Sequence, residues 1–378
     1  MANDKSEMKK SDGGHMVQNR TSGERQIRLP IFDGHNDTLE MMYVPEAKRR
    51  PFLEETDSGH IDLPRAKRAG FCGGFFSIFV PHPDQNGPEA PPAASQEHST
   101  IQQRRLEPVG FAYAHRLAKK GIESILALES ESSREFRVVR TVKEIRSAIE
   151  QGALSAVIHF EGAEPIDPSL ESLQRFYEEG LRSIGIVWSR ENAFGHGVNF
   201  EFPGSPDMGP GMSDAGKELV RACNQLGIML DLSHLNEKGF WDTEKISEAP
   251  LVATHSCVHT LCSSPRNLTD KQLDAIGASG GVVGVNFAVK FLRKDGEENP
   301  DTPLSDLVRH FCYIADRIGV DHLAIGSDFD GTTIPSEIGD VTGLPKLLAA
   351  LRDGGFDEEA LAKIALRNWL RVLSHTWK

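Results

Sequence analysis

Eight short apolar or β-branched runs recur along this 378-residue chain, each separated from the next by a segment with helical spacing. In order they are IRLPIF, GFCGGFFSIFV, LSAVIHF, LRSIGIVW, IMLDLS, PLVATHS, GGVVGVNF and DHLAIGSDF. Runs this apolar predict strands buried on both faces, as in a parallel sheet covered by helices. Two of the intervening segments carry explicit helix signals. Ser213 can cap a helix with Leu219, Val220, Cys223 and Leu226 on one face and Gly227 at its end, and a second helix starts at Asp357 and repeats Leu361, Ala365, Trp369 and Val372. Eight such units fit a (β/α)8 TIM barrel better than an open sheet. No GxGxxG or GxxxxGK[ST] follows the first run, which argues against a doubly wound nucleotide-binding fold.

A single barrel domain is expected over residues 27–378, behind a polar lead-in at 1–26 that lacks the apolar centre of a signal peptide. The net charge of −13 argues against nucleic acid or an anionic membrane as partner, since either needs a basic patch. The most apolar window, GGVVGVNFAV, is shorter than the roughly 18–20 residues that span a bilayer, so no membrane helix is expected. Five cysteines without CxxC spacing fit reduced thiols in a cytoplasm. Two long Pro- and Gly-rich connections, PHPDQNGPEAPPAASQEHS and ENAFGHGVNFEFPGSPDMGPGM, follow the second and fourth runs, which in a barrel places them over the active face.

Chemistry gathers where the runs end. The first ends in His35 and Asp37, the third in Glu161, the fifth in His234, the sixth in His255 and the eighth in Asp328. A lone histidine at a strand end is usually a satisfied core residue, but six ligand-type or titratable groups on one rim of one barrel point jointly to a metal-dependent hydrolase. Residues two apart on a strand share a face, so His35 and Asp37 can meet one ion. Asp33, one step deeper, either holds an imidazole N–H from behind or is simply structural. Three imidazoles and two carboxylates exceed the three ligands typical of one catalytic zinc, which suggests two ions sharing Glu161. Zinc suits this donor set best, with other divalent metals allowed. Asp328 is then placed to serve as general base and acid in hydrolysis at a carbonyl. Arg266 has the fork geometry for a substrate carboxylate, although a solvated surface arginine is an equal alternative.

The segments DGHND, HFEG, LDLSH, THS followed by RN, and GSDFDG resemble, in order and spacing, the membrane (renal) dipeptidase family of zinc metallopeptidases, family M19, within the amidohydrolase-like barrels. The resemblance runs from about Ile27 to Leu373. It implies a dinuclear zinc barrel that cleaves dipeptides, often with a D-residue at the C-terminal position. It also implies that His35 and Asp37 hold one Zn2+, His234 and His255 the other, and Glu161 both. Asp328 would be the acid/base, and Arg266 with Asn267 would meet the substrate carboxylate.

One departure stands out. Where better-known members carry a TLTH-like segment whose histidine binds the substrate carbonyl, this chain has GIVWSR, with Trp188 at that place. An indole offers one N–H and no charge, so if Trp188 meets the substrate there, Arg190, Asn192 or His196 would have to supply the lost role; alternatively Trp188 is a packing wall and the substrate is not a standard dipeptide. A related barrel hydrolase acting on an N-acyl amino acid, a lactone or a cyclic amide is the alternative reading. A barrel that has lost catalysis is a third, opposed by the presence of all six groups. Unlike the lipid-anchored mammalian members, the chain reads as cytoplasmic. The resemblance allows a homodimer, which no patch in the sequence demands.

Overall fold

A computed structural model of the chain describes residues 29–42, 50–83 and 106–378. The expected lead-in at 1–26 and most of the connection at 81–99 lie outside the described residues. Nine parallel strands form one sheet: β1 (Ile31–Asn36), β2 (Phe71–Phe79), β3 (Phe136–Val138), β4 (Leu154–Glu161), β5 (Leu181–Gly185), β6 (Met229–Asp231), β7 (Val252–Ser256), β8 (Val282–Val285) and β9 (Leu323–Ile325). Eight of them run in the order β1-β2-β4-β5-β6-β7-β8-β9. A parallel bridge from Asn36 to Phe329 joins the two ends, with Asp37 N donating to Phe329 O at 2.8 Å and Asp328 N to His35 O at 3.0 Å. The expected barrel is therefore present and nearly closed. β3 is an addition the sequence did not announce, a three-residue strand paired only to β4.

The helical expectations hold in detail. The helix Asp214–Leu226 starts on Ser213, whose hydroxyl accepts from Gly216 N, and stops at Gly227 with φ 75°. That cap satisfies an otherwise orphaned N–H, worth roughly 1 kcal/mol, and the left-handed stop favours glycine. The terminal helix starts on Asp357 and reaches Thr376 through a π turn at Lys363–Arg367.

Inside the barrel the strands stack in layers. The floor is apolar: Phe32, Phe75, Val157, Met229, Val252, Val282 and Ala324 pack together under Trp369 of the terminal helix, which is fully buried. The Trp369 indole N–H donates to Ile325 O at 3.1 Å. Gly34 is required here by close approach, because a Cβ on it would sit 2.5 Å from Trp369 and 2.3 Å from Thr254 O. Two residues further along β4 and β6 the side chains become His159 and Asp231, and two further along β4 comes Glu161. The layers thus pass from hydrocarbon to hydrogen-bonding groups to titratable groups toward the carboxyl ends.

Candidate active site

His35 and His255 reach this rim with help from broken pairing. The register shifts between Asp33 and Asn36 on β1, and between Ala253 and Ser256 on β7, so strict alternation fails just where each imidazole is presented. Their rings stack with centroids 3.8 Å apart. Of the two roles open to Asp33, the structural one is present. Its carboxylate does not support an imidazole but accepts from Ser327 N and Ser327 Oγ, each at 2.7 Å, and so ties β1 to the end of β9.

Three imidazoles converge on one carboxylate oxygen. Glu161 Oε1 lies 3.0 Å from His234 Nε2 and 3.7 Å from both His35 Nε2 and His255 Nε2. His234 Nε2 and His255 Nε2 are 3.1 Å apart. The hydrogen bonds fix what His255 presents. The Thr254 hydroxyl has one proton and gives it to Asp231 Oδ2 at 2.6 Å, so it must accept from His255 Nδ1–H at 2.8 Å. The His255 Nε2 is then a bare lone pair. Ser189 Oγ lies 2.8 Å from His234 Nδ1, within hydrogen-bond reach on the other side. Burial, reinforced by nearby positive charge, drives both imidazoles well below their ordinary pKa, so both are neutral.

The bare His255 Nε2 lone pair, facing a second neutral imidazole and a carboxylate oxygen, is the kind of donor a cation would satisfy. His35 makes the same point. Burial opposes charge on its ring, yet the Asp37 and Glu161 carboxylates outweigh burial and raise its pKa to about 10. Both of its ring nitrogens are buried with no hydrogen-bond partner among the described residues. The donor set of imidazole and carboxylate therefore fits divalent metal. One atom each from Glu161, His234 and His255 lies within 4.8 Å of the others, and the same holds for His35, Asp37 and Asp328.

Asp328 occupies a left-handed backbone position, φ 60°, rare for a residue with a Cβ. Its Oδ2 accepts from Asn286 Nδ2 at 2.8 Å. Burial and the Asp37 charge raise its pKa above the usual carboxyl range. Glu161 is raised more strongly for the same two reasons. Gly331 follows closely, and a Cβ there would lie 2.0 Å from Asp37 Oδ2 and 2.6 Å from Asp328 Oδ1, so only glycine leaves room for both carboxylates.

These groups open into a cavity also lined by Phe79, Trp188, Phe200, Arg266, Lys290 and Phe291. Arg266 is buried; its Nη1 donates to Ser233 O and its Nη2 to His255 O at 3.2 Å, while Nε has no partner among the described residues. Asn267 departs from expectation. Its amide donates to Cys262 O and Phe291 O, both at 2.9 Å, and the residue does not line the cavity. It braces the loops behind the site because a chain reversal at that point leaves carbonyls that need a donor. None of the three substitutes considered for Trp188 lines the cavity either. Arg190 is buried against Glu164 at 2.7 Å and Val80 O at 2.6 Å, Asn192 donates to Ile186 O at 2.9 Å, and His196 lies 3.8 Å from Glu191.

Sequence reasoning missed Asp231, which sits beneath the imidazoles. It accepts from Ser233 N, Ser233 Oγ, Thr254 N and Thr254 Oγ1, and its Oδ2 lies 3.6 Å from His159 Nε2. The available signal was an aspartate inside the apolar run IMLDLS, two residues past the floor residue Met229.

A family model described as membrane dipeptidase (peptidase family M19) matches residues 24–377. A metallopeptidase from Rhodobacter sphaeroides, solved with a phosphinate mimic of the dipeptide L-Ala-D-Ala, is 45% identical with a TM-score of 0.85, covering 92% of this chain and 99% of that one. A structure described as dipeptidase AC of family M19 is 46% identical with a TM-score of 0.84, over 92% of this chain and 99% of that one. Dipeptidase verJ of Clonostachys rogersoniana is 29% identical over 91% of this chain and 84% of its own length. The match spans the floor, the rim and the cavity alike, so the chain belongs to the membrane dipeptidase family of metallopeptidases, peptidase family M19.

Proposed function

We propose that this hydrolase is a dinuclear zinc dipeptidase that cleaves the peptide bond of dipeptides and accepts a D-residue at the C-terminal position. The observation that carries the reading is the convergence of three imidazole Nε2 atoms on Glu161 Oε1, with Asp37 and Asp328 alongside, in the cavity that Arg266 lines. His35 and Asp37 would hold one ion, His234 and His255 the other, and Glu161 would serve both. Bound there, the ions supply Lewis acidity to the scissile carbonyl and lower the pKa of the attacking water.

The chain's own groups do the rest. Asp328 takes a proton from the water as its oxygen bonds to the carbonyl carbon, and returns it to the departing nitrogen as the C–N bond breaks. Its raised pKa suits a group that must hold that proton between the two events. Asn286 keeps the carboxylate oriented through both. Arg266 has two of its donors fixed on backbone carbonyls, which aims the remaining guanidinium face at a substrate carboxylate without cost in side-chain freedom. Acceptance of a D-residue draws support from the L-Ala-D-Ala mimic bound by the Rhodobacter sphaeroides relative.

The test is release of free alanine from L-Ala-D-Ala and L-Ala-L-Ala by zinc-loaded protein, with a chelated sample and N-acetyl-D-Ala as controls and metal counted in the same preparation. Metal-dependent cleavage of L-Ala-D-Ala ahead of L-Ala-L-Ala is expected. Cleavage of N-acetyl-D-Ala alone, with two ions per chain, would move the substrate to the N-acyl amino acids.

A further inference from the structure

Four aromatic rings run in sequence around one side of the cavity. Phe79 packs on Trp188 with centroids 5.1 Å apart, Trp188 on Phe200 at 5.6 Å, and Phe200 stacks with Phe291 at 6.5 Å. All four line the cavity. The wall is held from behind. The Arg190 guanidinium lies 5.4 Å from the Phe79 ring and 5.3 Å from the Trp188 ring, and is itself locked by a buried pair with Glu164. Cation-to-ring attraction in a dry setting fixes the rings before any ligand arrives. A preformed apolar wall beside polar catalytic groups is the usual construction of a side-chain pocket.

Barrel order says which side chain it serves. Arg266 follows β7, and β2, whose end carries Phe79, lies four places from β7 in either direction round the eight-strand order closed by Asn36 and Phe329. A dipeptide with its carboxylate at Arg266 and its scissile carbonyl over Glu161 must extend its amino-terminal residue away from Arg266. That direction leads to Phe79, against which Trp188 packs. The Phe291 end of the wall lies under Arg266, 5.4 Å from its guanidinium, and faces the other residue.

We propose that Trp188, with Phe79 and Phe200, forms the subsite for the side chain of the dipeptide's amino-terminal residue, and that this residue is large and apolar, of the Leu, Met or Phe class. The inference rests on the dipeptidase reading and on Arg266 marking the carboxylate end. It gives Trp188 a role that needs no substitute histidine: the residue selects the substrate through its face rather than through its N–H.

The experiment measures kcat/KM of the zinc-loaded enzyme on X-D-Ala with X as Gly, Ala, Leu and Phe, in wild type, Trp188→Ala and Trp188→Phe. Circular dichroism and metal content are checked for each variant. Wild type should favour Leu or Phe over Gly by about tenfold or more, the scale on which a hydrophobic pocket discriminates. Trp188→Phe should keep most of that ratio and Trp188→Ala should bring it toward one, chiefly through KM. A companion series L-Ala-X, varied at the carboxyl-terminal residue, should show no comparable change in ratio in Trp188→Ala. A flat wild-type series, a ratio that survives Trp188→Ala, or a ratio lost only in the companion series would overturn the subsite while leaving the dipeptidase reading standing. No turnover of any dipeptide with two ions bound would instead remove the dipeptidase reading, and the subsite with it.

Discussion

The floor and the rim of this barrel are built from the same strands and obey opposite rules. β4 carries Val157 at the floor and Glu161 at the rim; β7 carries Val252 at the floor and His255 at the rim. At the floor, close packing of hydrocarbon lowers free energy. At the rim, Glu161 and Asp328 are buried at a cost visible in their raised pKa values, and His35 has two nitrogens without hydrogen-bond partners among the described residues. Four strand residues, about 13 Å, separate the hydrocarbon floor from the candidate active site.

The contrast can be broken most forcefully at Asp328. Asp328→Asn keeps the Asn286 contact and suits φ 60°, since Asn tolerates left-handed backbone. We expect kcat to fall by about 10²–10⁴, the range for general acid–base groups, with the melting temperature unchanged or raised. A loss of less than tenfold in steady-state kinetics would remove Asp328 from the chemistry. The floor should respond the other way. Trp369→Ala should cost about 3–5 kcal/mol in urea unfolding while the folded, metal-loaded fraction keeps most of its kcat. Equal damage to both quantities would mean that floor and rim are one unit.

Asp231 sits between the layers and sharpens the boundary. Asp231→Asn leaves the Thr254 hydroxyl free to turn and so loosens the tautomer of His255. Metal affinity measured by chelator competition should drop about 10- to 100-fold. Unchanged affinity would make Asp231 a floor residue by function.

The smallest effect concerns His310, away from both layers, whose Nδ1 accepts from Val258 N and whose Nε2 donates to Leu292 O, each at 3.1 Å. Burial lowers its pKa to about 4. Between roughly pH 6.5 and 4 the unfolded chain therefore takes up a proton that the folded chain refuses, so this contribution is full above 6.5 and lost as pH falls toward 4. His310→Gln should flatten the fall in unfolding free energy across that window. An identical slope in wild type and variant would place the dependence elsewhere.

Much of this was legible in the chain. The alternation of apolar runs with capped helices carried the barrel, and ligand-type residues at run ends carried the rim, because both are local patterns with a fixed geometric meaning. Which of the two roles Asp33 takes was not legible, because period-two reasoning assumes unbroken pairing and the register shift before His35 cannot be seen in composition. Asn267 was misread because its partners, the carbonyls of Cys262 and Phe291, are set by loop paths rather than by sequence neighbours. β3 is too short to show a period at all.

The closure between β1 and β9 also carries a consequence in time. Asp33 and Ser327, whose hydrogen bonds help seal the barrel, are 294 residues apart in sequence. At about 5–20 residues per second of synthesis, β1 waits roughly 15 to 60 s for its second neighbour. Until then its outer edge is open to wrong partners, a known hazard of unpaired strands. His35 and Asp328 stand on opposite sides of that seam, so a growing chain holds no complete set of the candidate site's groups. The hydrolase comes into being as one of the last acts of its own making, and only as a whole.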